Sequence, residues 1–117
     1  ESDLTYTKPK SLTVLDETYQ VSSWKDVLTH VFETLFAKYG EEIPAILKND
    51  EFVGRYIRAK AQASNLISAQ PISNTDYVVE GGTSTNYKRM LVMKVSEHLG
   101  LNIEDIIVKI AKNTEED

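Results

Sequence analysis

The stretch SWKDVLTHVFETLFAKY, positions 23–39, decides the fold of this chain. Trp24, Val27, Leu28, Val31, Phe32, Leu35, Phe36 and Tyr39 recur every three or four residues, which on an α-helix gathers the large apolar groups onto one face. Ser22 or Ser23 offers a side-chain oxygen to the unpaired amides at the start of that helix. Asp26 suits the positive end of its dipole, and Gly40 stands where a helix stop is expected. No other segment carries comparable apolar area, so the remaining elements are expected to pack around this stripe.

Towards the N-terminus, Leu12 and Val14, then Tyr19 and Val21, alternate with polar neighbours on either side of Asp16-Glu17. This pattern predicts a β-hairpin. Residues 1–10, polar and containing Pro9, read as a disordered lead-in or linker, and a start without Met reads as an excised fragment. In the other direction, Ile43, Ile46 and Leu47 predict a short second helix over 41–49, with Pro44 in its first turn. Residues 52–63 satisfy both helix and strand patterns and are assigned as irregular. Residues 66–72 contain Pro71, which lacks a ladder donor, and read as an edge segment. A turn over 73–76 leads to a strand at Tyr77, Val78 and Val79. That strand runs into Gly81-Gly82, where the backbone can take positive φ.

Thr83, Ser84 and Thr85 are candidate caps for a helix reaching His98, with Tyr87, Met90, Leu91, Val95 and Leu99 as its buried face and Gly100 as its stop. The β-branched residues Ile103, Ile106, Ile107, Val108 and Ile110 predict a last strand over 105–110, expected in the centre of a sheet. Residues 112–117 read as an acidic disordered tail. The expected architecture is a single α+β domain over 11–111. Its order is β-β-α-α-β-β-α-β, with a small, mostly antiparallel sheet packed against two main helices.

A chain of 117 residues suffices for one core without crosslinks, and the absence of cysteine removes disulfides, thiolate metal sites and a cysteine nucleophile. No apolar run approaches the roughly 20 residues that span a bilayer, and the polar start does not resemble a signal peptide. A cytoplasmic protein with no membrane contact is expected. The formal charge of −5 opposes general attraction to nucleic acid, but it is unevenly spread. Residues 53–95 hold Arg55, Arg58, Lys60, Lys88, Arg89 and Lys94 against only Asp76 and Glu80, while the remainder is strongly acidic. A basic patch for an acidic or phosphate-bearing partner is one reading, and basic residues scattered over a solvated face are the other.

Two segments could carry chemistry. The run Gly81, Gly82, Thr83, Ser84, Thr85, Asn86, followed by Lys88 and Arg89, has the outline of an anion site, with backbone amides, hydroxyls, a helix N-terminus and two cations. It lacks the spacing of a P-loop or a dinucleotide fingerprint, and an ordinary strand-to-helix turn with a hydroxyl cap accounts for it more simply. Arg55, Arg58 and Lys60, interleaved with Tyr56, suit phosphates and stacked bases, and suit a solvated surface equally. His30 and His98 have no second ligand at helical spacing. The acidic pairs Asp26 and Glu33, or Glu41 and Glu42, read as solvated charges. No metal, cofactor or catalytic residue is expected, and the chain is read as a non-enzyme.

The segments Tyr19-Gln20-Val21-Ser22-Ser23-Trp24-Lys25-Asp26-Val27-Leu28, Tyr77-Val78-Val79-Glu80, and the Ser84-Thr85-Asn86 helix ending in Leu99-Gly100 resemble a small α+β domain of unknown function. That domain is appended to bacterial restriction-type and mobile-element proteins. The resemblance covers most of 11–110 and implies a non-catalytic accessory domain that recognises a protein or nucleic-acid partner within or beyond a larger polypeptide. It also implies a basic loop after the second helix, where Arg55, Arg58 and Lys60 stand, although fewer basic residues are found here. Two alternatives accompany this reading. One is a nucleic-acid-binding module using the basic 53–95 segment. The other is a phosphate-binding or enzymatic domain at Gly81-Gly82.

Overall fold

The computed structural model describes residues 8–64 and 66–111. The predicted hairpin is present, but its first strand, β1 (Lys8–Val14), begins within the expected lead-in, because residues 8–10 find ladder partners. The rest of that lead-in and the acidic tail lie outside the described residues. The hairpin closes onto β2 (Glu17–Gln20) through Leu15 and Asp16, whose φ angles are 49° and 74°. The turn therefore sits one residue earlier than Asp16-Glu17, and Val14 faces Glu17 across it. Positive φ at both central residues is what a two-residue hairpin turn requires.

The organising helix is α1 (Trp24–Tyr39). Ser23 caps it by accepting from the Asp26 amide, and Val27, Leu28, Val31, Phe32, Leu35 and Phe36 form its buried face. Gly40 has φ −58° and stays right-handed, so the chain turns onward into α2 (Ile43–Asn49) without a left-handed cap. The segment read as irregular is two regular elements placed end to end, α3 (Glu51–Tyr56) and β3 (Ile57–Ala59), followed by a 3₁₀ turn at Lys60–Gln62. Each is too short to show its own period, which is why the sequence satisfies both patterns.

β4 (Ala69–Pro71) and β5 (Tyr77–Glu80) follow, then α4 (Thr85–Leu99) and β6 (Ile106–Ala111). Gly100, at φ 74°, ends α4 with a Schellman pair of bonds, its own amide to the Glu97 carbonyl and that of Leu101 to the Ser96 carbonyl.

The α+β class stands, with all pairings antiparallel, but the strands form two three-stranded sheets, ordered β2-β1-β6 and β3-β5-β4. β3 supplies the middle strands with a partner of their own, so they do not join the hairpin. Pro71 lies in an edge strand, as its missing donor requires. β6 is an edge strand as well, whereas a central place was expected for it. Leu12 and Val14 of β1 are fully buried under α1, with Ile43, Val53, Ile57, Ile72, Val79, Leu91 and Val95 completing one core. No described helix is long and apolar enough to cross a membrane.

Candidate anion-binding cleft

Asp50 starts α3 by accepting from the amides of Phe52 and Val53, which sets the helix so that Arg55 falls in its last turn. Arg58 follows on β3, and its Nε donates to the Arg55 backbone carbonyl at 3.1 Å, which fixes the Arg58 side chain against the end of α3. Opposite them, Ser84 opens α4 by accepting from the Tyr87 amide at 3.2 Å. Between these elements lies a cleft of about 430 Å³, whose walls include Arg55, Tyr56, Arg58, Ile67, Tyr87 and the turn at 82–84. Tyr56 and Tyr87 meet edge to face with centroids 6.2 Å apart, and Phe52 backs both rings at 5.1 and 6.1 Å.

Glu80 forms the floor. It is only 4% exposed, and its carboxylate accepts three backbone amides: Oε1 from Ile67 at 2.9 Å and Ser68 at 3.2 Å, and Oε2 from Gly82 at 2.8 Å. Its negative charge is therefore spent on holding the 66–68 loop against the turn. Gly82 is needed for that approach, since a Cβ there would sit 2.5 Å from Glu80 Oε2. A Cβ on Gly81 would come within 2.8 Å of Gln70 Cγ. Neither glycine takes positive φ, so closeness of packing, and not the backbone freedom expected of them, explains both.

The cleft unites Arg55, Arg58, Gly82 and Ser84 from among the candidate residues. Thr85 lies one step inside α4 and outside the cleft wall, and Ser84 acts as the ordinary helix cap. Lys60 lies past the cleft in the 3₁₀ turn, its amide bound to the Asp76 carbonyl at 2.8 Å. Lys88 turns inward, 8% exposed, and its Nζ donates to the Thr83 carbonyl from beneath the turn. Burial pulls its pKa down, Lys25 adds to this, and Glu80 opposes it. Arg89 is exposed on another face of α4, where its Nη1 reaches Met93 Sδ at 3.5 Å. Of the six basic residues of 53–95, Arg55 and Arg58 line the cleft, and Lys60, Lys88, Arg89 and Lys94 do not.

Tyr87 and Ile67 join the cleft although the sequence pattern did not single them out as site residues. Of the residues expected on the buried face of α4, Leu91 and Val95 are buried, whereas Tyr87 and Met90 are 48% and 45% exposed and Lys88, read as a surface cation, is buried. The buried face keeps Leu91 and Val95 and extends to Lys88, which leaves Tyr87 at its margin to pair with Tyr56. Electrostatically, the cleft offers two guanidinium groups and the positive end of a 15-residue helix above a carboxylate already occupied. Among the described residues, no cluster of three or more metal-ligating side chains is found. Comparison with protein-family models, curated proteins and solved structures finds no significant match to this chain.

Proposed function

We propose that this chain is a non-catalytic recognition domain whose cleft grips a short unpaired stretch of nucleic acid, serving as an accessory part of a bacterial defence or mobile-element protein. The observation that carries the binding reading is the convergence of Arg55 and Arg58 with the Tyr56–Tyr87 pair at the start of α4. Guanidinium groups suit phosphate oxygens, and tyrosine rings suit the face of an unstacked base. The accessory role rests on the resemblance of the 19–28, 77–80 and 84–100 segments. A catalytic reading has less to build on, because the carboxylate in the cleft wall, Glu80, is committed to three backbone amides.

Fluorescence anisotropy with short labelled single-stranded DNA and RNA tests the reading. Two phosphate contacts imply a slope of about −1.4 in log K against log salt, or a loss of roughly sevenfold for a fourfold rise in salt. Arg55→Ala with Arg58→Ala is expected to abolish that slope and weaken binding by at least about tenfold. Absence of binding, binding indifferent to both arginines, or the same arginine dependence for an acidic peptide but not for oligonucleotides would overturn the nucleic-acid assignment.

A further inference from the structure

A second concave surface lies away from the two arginines of the cleft. Between α1, α4 and β6 runs an apolar groove of about 500 Å³, floored by Val27, Leu28 and Val31 and bordered by the side chains of Ile106, Val108 and Ile110 of β6. Among the described residues β6 pairs only with β1, so its outer backbone edge is free along the same groove. The two edges of this sheet are built differently. β2 is four residues long, with the polar sequence ETYQ, whereas β6 reads IIVKIA, with Lys109 as its single charge and no proline. Ile107 and Ile110 remain 45% and 42% exposed. Protected edges are short, charged or interrupted, and β6 has little of this protection.

The far rim of the groove is the stripe Arg89, Met93 and Glu97 of α4, spaced four residues apart on one helical face. Met93 is 48% exposed, and no described residue of opposite charge lies within ion-pair distance of Arg89 or Glu97. The stripe has opposite charges at equal distances, about 6 Å along the axis, on either side of a methionine. Such a pattern is complementary to itself when reversed. We propose that the groove is an isologous interface with a second copy of this chain. The β6 strands pair antiparallel across a two-fold axis, and the α4 helices cross near Met93, so that Arg89 faces the partner subunit's Glu97 and Glu97 faces the partner subunit's Arg89. The β2-β1-β6 sheets of the two copies become one sheet of six strands, which removes both apolar β6 edges.

Sedimentation equilibrium from about 1 µM to about 500 µM tests this, a range that brackets ordinary dimer affinities. The unaltered chain is expected to dimerise. Arg89→Glu and Glu97→Arg are each expected to raise the dissociation constant by about tenfold or more, since each places like charges opposite one another twice. An equimolar mixture of the two variants restores opposite charges at both crossings, and is expected to form a heterodimer of near wild-type affinity. Ile110→Lys, at an exposed position on the free edge, is expected to abolish association while leaving the thermal transition of the monomer intact. A chain that stays monomeric throughout the range overturns the interface, as does a dimer unmoved by Ile110→Lys. A dimer whose affinity ignores both reversals, or a mixture that fails to restore it, overturns the two-fold register.

Discussion

Glu80 shows how one buried side chain can set a binding surface. Its carboxylate holds three amides that belong to two separate segments, the 66–68 loop and the 82 turn. Without it, those amides are left unpaired in a site 4% exposed, and each costs more to leave unpaired than a bond contributes when made. Glu80→Ala is therefore expected to destabilise the fold by about 2 kcal/mol or more. Glu80→Gln is expected to cost nearly as much, since one end of its amide is a donor facing donors. Urea denaturation of the two variants beside the wild type checks this, and a Glu80→Gln protein as stable as the wild type would remove the carboxylate from this role. The sequence signal for it is slight. A glutamate at a strand end beside two glycines has no period that marks it as buried. The burial of Lys88, a candidate anion-binding cation by sequence, is unmarked for a related reason, because a lysine two turns before Val95 is assigned to solvent unless a carbonyl such as that of Thr83 waits inside.

At the scale of elements, the least readable segment became the most consequential. Residues 51–59 are a six-residue helix flowing into a three-residue strand, and neither is long enough to announce itself by periodicity. Their anchor is Asp50. It caps α3 through two amides and reaches across to His98 Nε2, at the end of α4, at 2.9 Å. The His98 contact does most to hold the Asp50 carboxyl below its ordinary range; desolvation opposes it, while the Val53 amide, Lys94 and the Phe52 amide assist. A carboxyl with a lowered folded-state pKa binds its proton more tightly when unfolded. Its stabilisation is therefore complete above the unfolded value of about 3.9 and is lost as pH falls through the folded value. Asp50→Ala is expected to cost about 1–2 kcal/mol at neutral pH through loss of the cap. Asp50→Asn retains an acceptor for the cap, so it is expected to cost less there and to lose stability less steeply on acidification. Denaturation midpoints from about pH 2 to about pH 7 separate these effects, across the range where carboxylates titrate. A wild-type acid limb identical to that of Asp50→Asn would show that Asp50 contributes nothing to it.

Across the whole molecule, the legible parts are those whose signal is local. The stripe of α1, the alternation of Leu12 and Val14, Ser84 as a cap and Gly100 as a stop all state their structure within a few residues. The division into two sheets depends on which strand meets which, and no short pattern distinguishes Ile57 facing Val79 from Val79 facing the hairpin. The β-branched run of β6 predicts a central strand, yet β6 lies at a sheet edge with Ile107 and Ile110 exposed. The site divides in the same way. Arg55 and Arg58 meet Ser84 because α3 and β3 place them there, while Lys88 and Arg89, adjacent to Ser84 in sequence, are carried elsewhere by the turn of α4. α4 thus serves two surfaces, its first residues closing the cleft and its 89–97 stripe bordering the groove. No side-chain hydrogen bond among the described residues links Arg55, Arg58, Ser84 or Tyr87 to Arg89, Met93 or Glu97, and effects at sites without shared partners add. Arg89→Glu is therefore expected to leave oligonucleotide affinity unchanged within about twofold, at concentrations where the chain is monomeric. Arg55→Ala with Arg58→Ala is expected to leave the self-association constant unchanged to the same extent. Measuring both properties on both variants closes the cycle. A large loss of oligonucleotide binding in Arg89→Glu would show that the basic residues of 53–95 act as one electrostatic surface after all, and that the division read from the geometry of α4 does not govern binding.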